Sequence, residues 1–158
     1  MSILFSYIGW LAWVLLILTM LTRPLSMLFK GVFLKILPYR KWLGISLSLA
    51  IIVHVIIFSS NRGFDFSYFI NPGFWNFSNL FGWGLLGFVV MIPHFITSNK
   101  FSIKLLGKNW KRLQRLAYLL FVSVGIHIYF ANWLWYFSLL PIGIWALLYV
   151  IALFKQRK

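Results

Sequence analysis

The sequence predicts an all-α integral membrane protein, a single domain over residues 1–158 built as a bundle of about five transmembrane helices. Hydrophobic residues make up 62% of the chain and charged residues only 10%, a balance typical of membrane proteins. The apolar residues fall into five runs, each about as long as a bilayer is thick. Basic residues collect in alternate connections, which predicts the N-terminus outside and the C-terminus in the cytoplasm.

The first two helices are separated by a basic stretch. The first covers residues 3–22, and its N-terminal end lacks the basic region and cleavage site of a secretory signal, so we expect it to be retained. Residues 23–41 mix Lys and Arg with Leu, Phe and Ile, and we expect this stretch to lie partly in the cytoplasmic interface. The second helix covers residues 42–59.

An aromatic loop leads into the third helix. Residues 60–79 are punctuated by Gly, Pro and Asn. We interpret them as an interfacial aromatic belt, with a surface for docking a partner as the alternative. The third helix covers residues 80–97, and Pro93 should kink it near its inner end. Three of its glycines allow close backbone approach: Gly82, Gly84 and Gly87.

The fourth and fifth helices cover residues 113–131 and 133–154. The connections after the first four helices and the C-terminal tail carry 5, 1, 6, 0 and 3 Lys and Arg residues in that order. The positive segments alternate with nearly uncharged ones, and this alternation fixes the predicted orientation.

Composition excludes several classes of protein. The net charge of +14 arises from 15 basic residues against one acid, Asp65, but the basic residues serve as topology signals, so we expect no nucleic-acid partner. The absence of cysteine excludes disulfides, thiolate-bound iron–sulfur clusters and covalently attached haem. No Asp, Glu, Lys or Arg falls in the membrane interior of the predicted spans, which argues against an ion-coupled transporter.

Three histidines carry the candidate chemistry. His54 and His127 lie roughly 18 Å and 20 Å from the cytoplasmic ends of their helices, so they occupy nearly the same depth. Two neutral imidazoles at one depth are the ligand set of a b-type haem. The alternative is that each forms one interhelical hydrogen bond.

His94 lies in the opposite half of the membrane. It could bond a nearby backbone group, contact a quinone headgroup or bind a second, inner haem.

Several motifs follow each other in a familiar order: TRPL, RKWLG, LAIIVH, FITSN, LGKNWKRLQRLAYL and GIHIYF. With these motifs the chain resembles the ferric-reductase-like transmembrane family. Within that family it is most similar to haem-binding membrane subunits of periplasmic methionine sulfoxide reductase systems.

The resemblance implies a b-type cytochrome of the bacterial inner membrane, an electron-transfer subunit rather than a self-contained enzyme. It would take electrons from a quinol or a cytoplasmic flavin reductase and pass them to a periplasmic reductase. Quinone and FMN are the further cofactors that such a role could involve. His54 and His127 fall on the family's haem-ligand positions.

The chain also departs from that family. Relatives usually carry another histidine where Gln114 stands, and glutamine is not a usual haem ligand, so we expect one haem rather than two. The family's first helix is not recognisable before residue 3. These departures support a rival interpretation, a haem-free structural or assembly subunit that keeps the family's fold.

Overall fold

The computed structural model describes residues 3–132 and 135–156, and within these ranges it contains helices and no strands. Five long helices are joined by shorter ones. In chain order they are α1 (Ile3–Leu28), α2 (Lys30–Ile36), α3 (Arg40–Ser60), α4 (Leu80–Ile96), α5 (Lys100–Leu106), α6 (Lys108–Gln114), α7 (Leu116–Asn132), α8 (Trp135–Ser138) and α9 (Leu140–Gln156), with short 3-10 helices at Leu37–Tyr39 and Ser67–Phe69.

The helices pack as neighbouring pairs around one core. Helix α4 lies along α7, and α1 lies between α3 and α9. The largest fully buried side chains of the core are Trp13, Leu16, Met20, Met91 and Phe121. The Trp13 indole stacks near Phe121, with 5.3 Å between ring centroids, and its Nε1 donates to the Phe137 carbonyl at 2.8 Å. Because a buried indole N–H needs an acceptor, this bond fixes α1 against the segment that leads into α9.

Three helical stretches in the described chain are long and apolar enough to cross a membrane: Ile3–Leu28, Gly31–Ser60 and Lys108–Ala131. A fourth span results if α4 and α5 are counted as one bent span. The remaining apolar helix, α9, has 17 residues and is shorter than a typical span. The chain is therefore a multi-pass helical protein, whereas the count of five and the orientation stay predictions. The predicted fifth helix begins at residue 133, outside the described residues.

The first helix is longer than expected. Helix α1 continues through Arg23 and Pro24 to Leu28, although the sequence predicted an end at residue 22. Proline removes only one backbone hydrogen bond, and here Pro24 is buried within the bundle. The Ser26 hydroxyl donates to the Arg23 carbonyl at 2.8 Å, which adds a side-chain bond within the same turn. Much of the expected interfacial stretch is consequently helix, in α1 and α2.

The sharp bend after α4 lies beyond Pro93. Helix α4 runs through Pro93 to Ile96, and the chain turns by 93° before α5. The Asn99 side chain caps the new helix, because its Oδ1 accepts from the Ser102 amide at 2.8 Å. The Thr97 hydroxyl donates to the Pro93 carbonyl at 2.6 Å at the C-terminal end of α4.

The two ends of the bundle differ in chemistry. At one end the Arg23 guanidinium lies 5.9 Å from the Tyr149 ring centroid, and Lys155 Nζ donates to the Leu28 carbonyl at 3.4 Å. At the other end the loop between α3 and α4 packs its aromatic rings on the helix ends, where the Tyr68 and Ser59 hydroxyls are 2.5 Å apart. The same loop leaves several apolar side chains exposed, namely Phe64, Phe66, Ile70 and Phe77.

Candidate functional site

A cavity of about 880 Å³ opens between α1, α3, α4 and α7 at the aromatic end of the bundle. Its wall is mostly aliphatic and aromatic, and both His54 and His127 line it. The two histidines that the sequence placed at one depth therefore face a shared space. A volume of this size lies within the roughly 300–1,000 Å³ that small-molecule and cofactor sites occupy.

His54 is held by the first helix. Its Nδ1 lies 3.2 Å from the Phe5 carbonyl oxygen, and its ring stacks on the Phe5 ring with 4.1 Å between centroids. A carbonyl oxygen only accepts hydrogen bonds, so this contact requires the proton on Nδ1. Nε2 then keeps its lone pair, as in a metal-binding imidazole that is oriented through its other nitrogen.

His127 is held in the same way by α4. Its Nδ1 lies 2.8 Å from the Leu80 carbonyl oxygen in the first turn of α4. The same reasoning places the proton on Nδ1 and leaves Nε2 as the free donor atom. The two imidazoles thus share one tautomer, fixed by backbone carbonyls of the neighbouring helices.

Two glycines leave the room that these rings occupy. A Cβ on Gly84 would lie 2.8 Å from His127 Nδ1, and a Cβ on Gly9 would lie 3.1 Å from His54 Cε1. Any larger side chain at these positions would have to displace an imidazole. Each histidine is therefore positioned by a backbone carbonyl on one side and a bare glycine backbone on another.

This donor set fits a b-type haem. Two neutral imidazoles with free Nε2 atoms and an apolar cavity are what non-covalent bis-histidine ligation requires. No group of three or more His, Cys, Asp or Glu side chains comes together anywhere in residues 3–132 or 135–156. The two histidines would have to be completed by a group that brings its own ligands, as a porphyrin does.

The loop end of the cavity is its polar end. Asn61 and Arg62, which follow α3 directly, line it together with Tyr68. The Tyr68 hydroxyl is already bonded to Ser59. An amide and a guanidinium are thus the polar groups that a ligand would meet at this opening.

His94 and Gln114 lie outside this cavity. His94 Nε2 lies 3.0 Å from the Gln114 backbone carbonyl, so His94 makes the backbone bond that the sequence allowed as one of its roles. The Gln114 side chain donates to the Thr97 hydroxyl at 3.4 Å. His94 and Gln114 contact each other, and neither is among the residues that line the cavity of His54 and His127.

The family is decided by a match over most of the chain. Residues 8–125 match the family model described as "Ferric reductase like transmembrane component". The chain belongs to this ferric reductase-like transmembrane family. The match includes His54, His94 and Gln114 and ends two residues before His127.

Similarity to a family member of named role is shorter. The chain is 37% identical over 49 residues to the protein-methionine-sulfoxide reductase heme-binding subunit MsrQ of Agrobacterium fabrum. This match covers 31% of the chain and 23% of that relative's length. No solved structure matches the chain significantly.

Several residues of the site were not predicted from the sequence. The carbonyls of Phe5 and Leu80 carry no sequence signal, because every residue has one. Gly84 was expected at a helix contact but not against a histidine. Arg62 was counted only as a loop charge, although its position eight residues after His54, just beyond the end of α3, was a signal that could have placed it near the site.

Proposed function

We propose that the chain is a membrane b-type cytochrome subunit that holds one haem between His54 and His127. The haem would carry electrons across the membrane. The proposal is based on the geometry of the cavity, and it is supported by membership of the family and by similarity to MsrQ, which is a heme-binding subunit.

One observation carries the proposal. His54 and His127 come from different helices, line one apolar cavity, and both use Nδ1 to bond a backbone carbonyl. A histidine that serves only in helix packing has no need to line a large cavity. Two such histidines on one cavity make a ligand pair.

The residues of the chain would bind the haem, orient it and exclude water from it. The carbonyls of Phe5 and Leu80 hold the Nδ1 protons and keep both Nε2 atoms as electron-pair donors. The aromatic wall, including Phe58 and Phe81, keeps the space apolar. When bound, the haem supplies a one-electron Fe(III)/Fe(II) couple whose potential depends on these surroundings.

The proposed route runs from the cytoplasmic side to the outer side of a bacterial inner membrane. A quinol or a cytoplasmic flavin reductase would be the donor, and a periplasmic reductase acting on oxidised methionine would be the acceptor. The basic end of the bundle would attract an acidic donor electrostatically.

The test is a dithionite-reduced minus oxidised absorption spectrum of the detergent-purified protein, with a pyridine haemochrome assay that counts haem per chain. We expect a low-spin b-type signal at about one haem per chain, because the structure offers one pair of imidazoles on one cavity. Two haems per chain would implicate His94 as a further ligand. No haem after expression with ample haem would favour the structural or assembly subunit instead.

The partners are tested separately. Membranes containing the protein are supplied with a quinol, or with NADH and a flavin reductase, and the reduced haem band is followed in time. Reduction by either donor identifies the entry route. Reoxidation on adding a periplasmic methionine sulfoxide reductase identifies the exit.

A further inference from the structure

Arg62 stands at the polar end of the cavity. It lies in the turn that ends α3, where its backbone N–H and that of Phe64 both donate to the Ser59 carbonyl, at 3.0 Å and 2.8 Å. These bonds fix the backbone from which the guanidinium extends. The side chain lines the same cavity as His54 and His127.

Three aromatic rings hold the guanidinium. Arg62 Cζ lies 4.7 Å from the ring centroid of Phe58, 5.2 Å from that of Phe74 and 5.7 Å from that of Phe81. Each such contact stabilises a cation over a ring face. The N–H donors of a guanidinium lie in its own plane, so a group held over rings can still bond an anion at its edge.

The one acidic side chain of the protein is hydrogen-bonded to Ser67, and its charge acts on Arg62 only at a distance. The chain has one acid, Asp65, three residues further on, and no ion pair to Arg62 occurs among the residues that the structure describes. Both Asp65 oxygens accept from Ser67, Oδ1 from the amide at 2.8 Å and Oδ2 from the hydroxyl at 2.9 Å. These bonds, with a smaller effect of Arg62, hold the pKa of Asp65 below its usual value.

The charge is also on the unexpected side of the bundle. Of 15 Lys and Arg residues, Arg62 is the one in the loop between the second and third predicted helices. Positive residues are disfavoured in short outer loops because they oppose the preferred topology. Arg62 is an exposed residue that lies against three aromatic rings and lines the cavity, so it brings a positive charge to the cavity opening.

We propose that Arg62 binds a carboxylate of the ligand in this cavity, and that this carboxylate is a haem propionate. The inference rests on the proposed function. A porphyrin has an apolar face, which the aromatic wall would cover, and two carboxylates at one edge, which need a cation or water. Arg62 is the cation that lines this cavity at its polar opening, with Asn61 beside it as a second donor.

The experiment compares two porphyrins that differ only at this edge. Apo-protein is titrated with iron protoporphyrin IX and with its dimethyl ester, whose propionates are uncharged, and binding is followed by the Soret band. Hydrogen bonds to charged groups contribute about 1.5–3 kcal/mol. We therefore expect the ester to bind the wild type about ten- to a hundredfold more weakly than the acid.

The variant Arg62→Gln should abolish this preference. It should bind the acid about ten- to a hundredfold more weakly than the wild type does, and should bind the ester about as the wild type does. Arg62→Lys keeps the charge and should recover part of the affinity for the acid. Removing a positive charge should also lower the reduction potential of the bound haem, because the ferric state then becomes relatively more stable.

The matched control is Arg23→Gln, which removes an arginine from another aromatic contact, with Tyr149, outside the cavity lining. It should keep the preference for the acid. Equal binding of the two porphyrins by the wild type would overturn the role of Arg62 and leave the proposed function standing. If the wild type bound neither porphyrin, the proposed function would fail and this inference with it.

Discussion

At the scale of single residues, His54 and His127 differ from His94 in which ring nitrogen bonds a backbone carbonyl. His54 and His127 each bond a backbone carbonyl through Nδ1 and line the cavity. His94 bonds the Gln114 carbonyl through Nε2 and lies outside the cavity. The same residue type therefore has two structural roles here. The difference leads to a direct test of ligation.

Substitution of each histidine by alanine should separate these roles. His54→Ala and His127→Ala should each abolish haem retention, because one imidazole cannot complete the ligand pair. His94→Ala should keep one low-spin haem per chain. The measurement is the haem to protein ratio after purification, and full occupancy in either of the first two variants would exclude the pair.

A glycine offers a finer test of the same site. In Gly84→Ala the new methyl group would lie 2.8 Å from His127 Nδ1, so the ring must turn away from its carbonyl. Loss of such an orienting contact typically costs about ten- to a hundredfold in metal affinity. We expect a corresponding fall in haem affinity, measured by titration of the apo-protein.

The control for that variant is Gly143→Ala. Nothing lies within 4 Å of a Cβ at Gly143 in α9, so this change should leave haem affinity unaltered. If the two variants behaved alike, the contact between Gly84 and His127 would not matter for binding.

Residue-level prediction from the sequence reached the histidines but not their surroundings. Helix length and the position of each histidine placed His54 and His127 at one depth, and the structure puts both on one cavity. The positions of the carbonyl acceptors, the Phe5 ring and the aromatic rings around Arg62 depend on how the helices rotate and tilt against each other. That arrangement is set by packing of the whole bundle, which periodicity does not define.

At the scale of helices, apolar runs predicted α3 and α4 within two residues at each end. Their limits follow local signals, such as the Asn79 cap, whose Oδ1 accepts from the Phe81 amide at 2.9 Å. The end of α1 was missed because Arg23 and Pro24 look like a stop signal. Tertiary burial of Pro24 outweighs that local signal.

The contact of α7 with α8 and α9 gives a prediction at this scale. A Cβ on Gly125 would collide with Ile142 Cδ1 and would lie 3.2 Å from the Ser138 carbonyl and 3.3 Å from Trp13. Overpacking of a core typically costs about 1–3 kcal/mol. Gly125→Ala should therefore lower the thermal unfolding temperature in detergent.

The comparison variant is again Gly143→Ala, which should stabilise α9 by about 0.5–1 kcal/mol because alanine favours a helix. Unfolding is followed by circular dichroism. An unchanged unfolding temperature in Gly125→Ala would show that the Ile142 side chain moves aside without a loss of packing.

At the scale of the whole molecule, charge divides the bundle. Apart from Arg62 in the aromatic loop, the Lys and Arg residues fall in the connections that follow the first and third predicted helices and in the C-terminal tail. This asymmetry predicts the orientation, with the basic end in the cytoplasm. In that predicted orientation, the cavity of His54 and His127 would lie near the outer surface.

The absence of native cysteine makes this orientation testable by single-cysteine labelling. In spheroplasts, from which the outer membrane and cell wall have been removed, a membrane-impermeant maleimide should label Ser78→Cys in the exposed aromatic loop. It should label Lys104→Cys, in the basic α5, only after the membrane is permeabilised. The reverse pattern would invert the topology.

The order of synthesis follows from where the cavity lies in the chain. Every described residue that lines it falls between Phe5 and Ala131, so the ribosome has made all of them before it starts α9. A nascent chain could thus bind its cofactor while α9 is still being translated. The bond from Trp13 to the Phe137 carbonyl, which ties α1 to the short helix α8 before α9, would then form after the cavity walls have been synthesised.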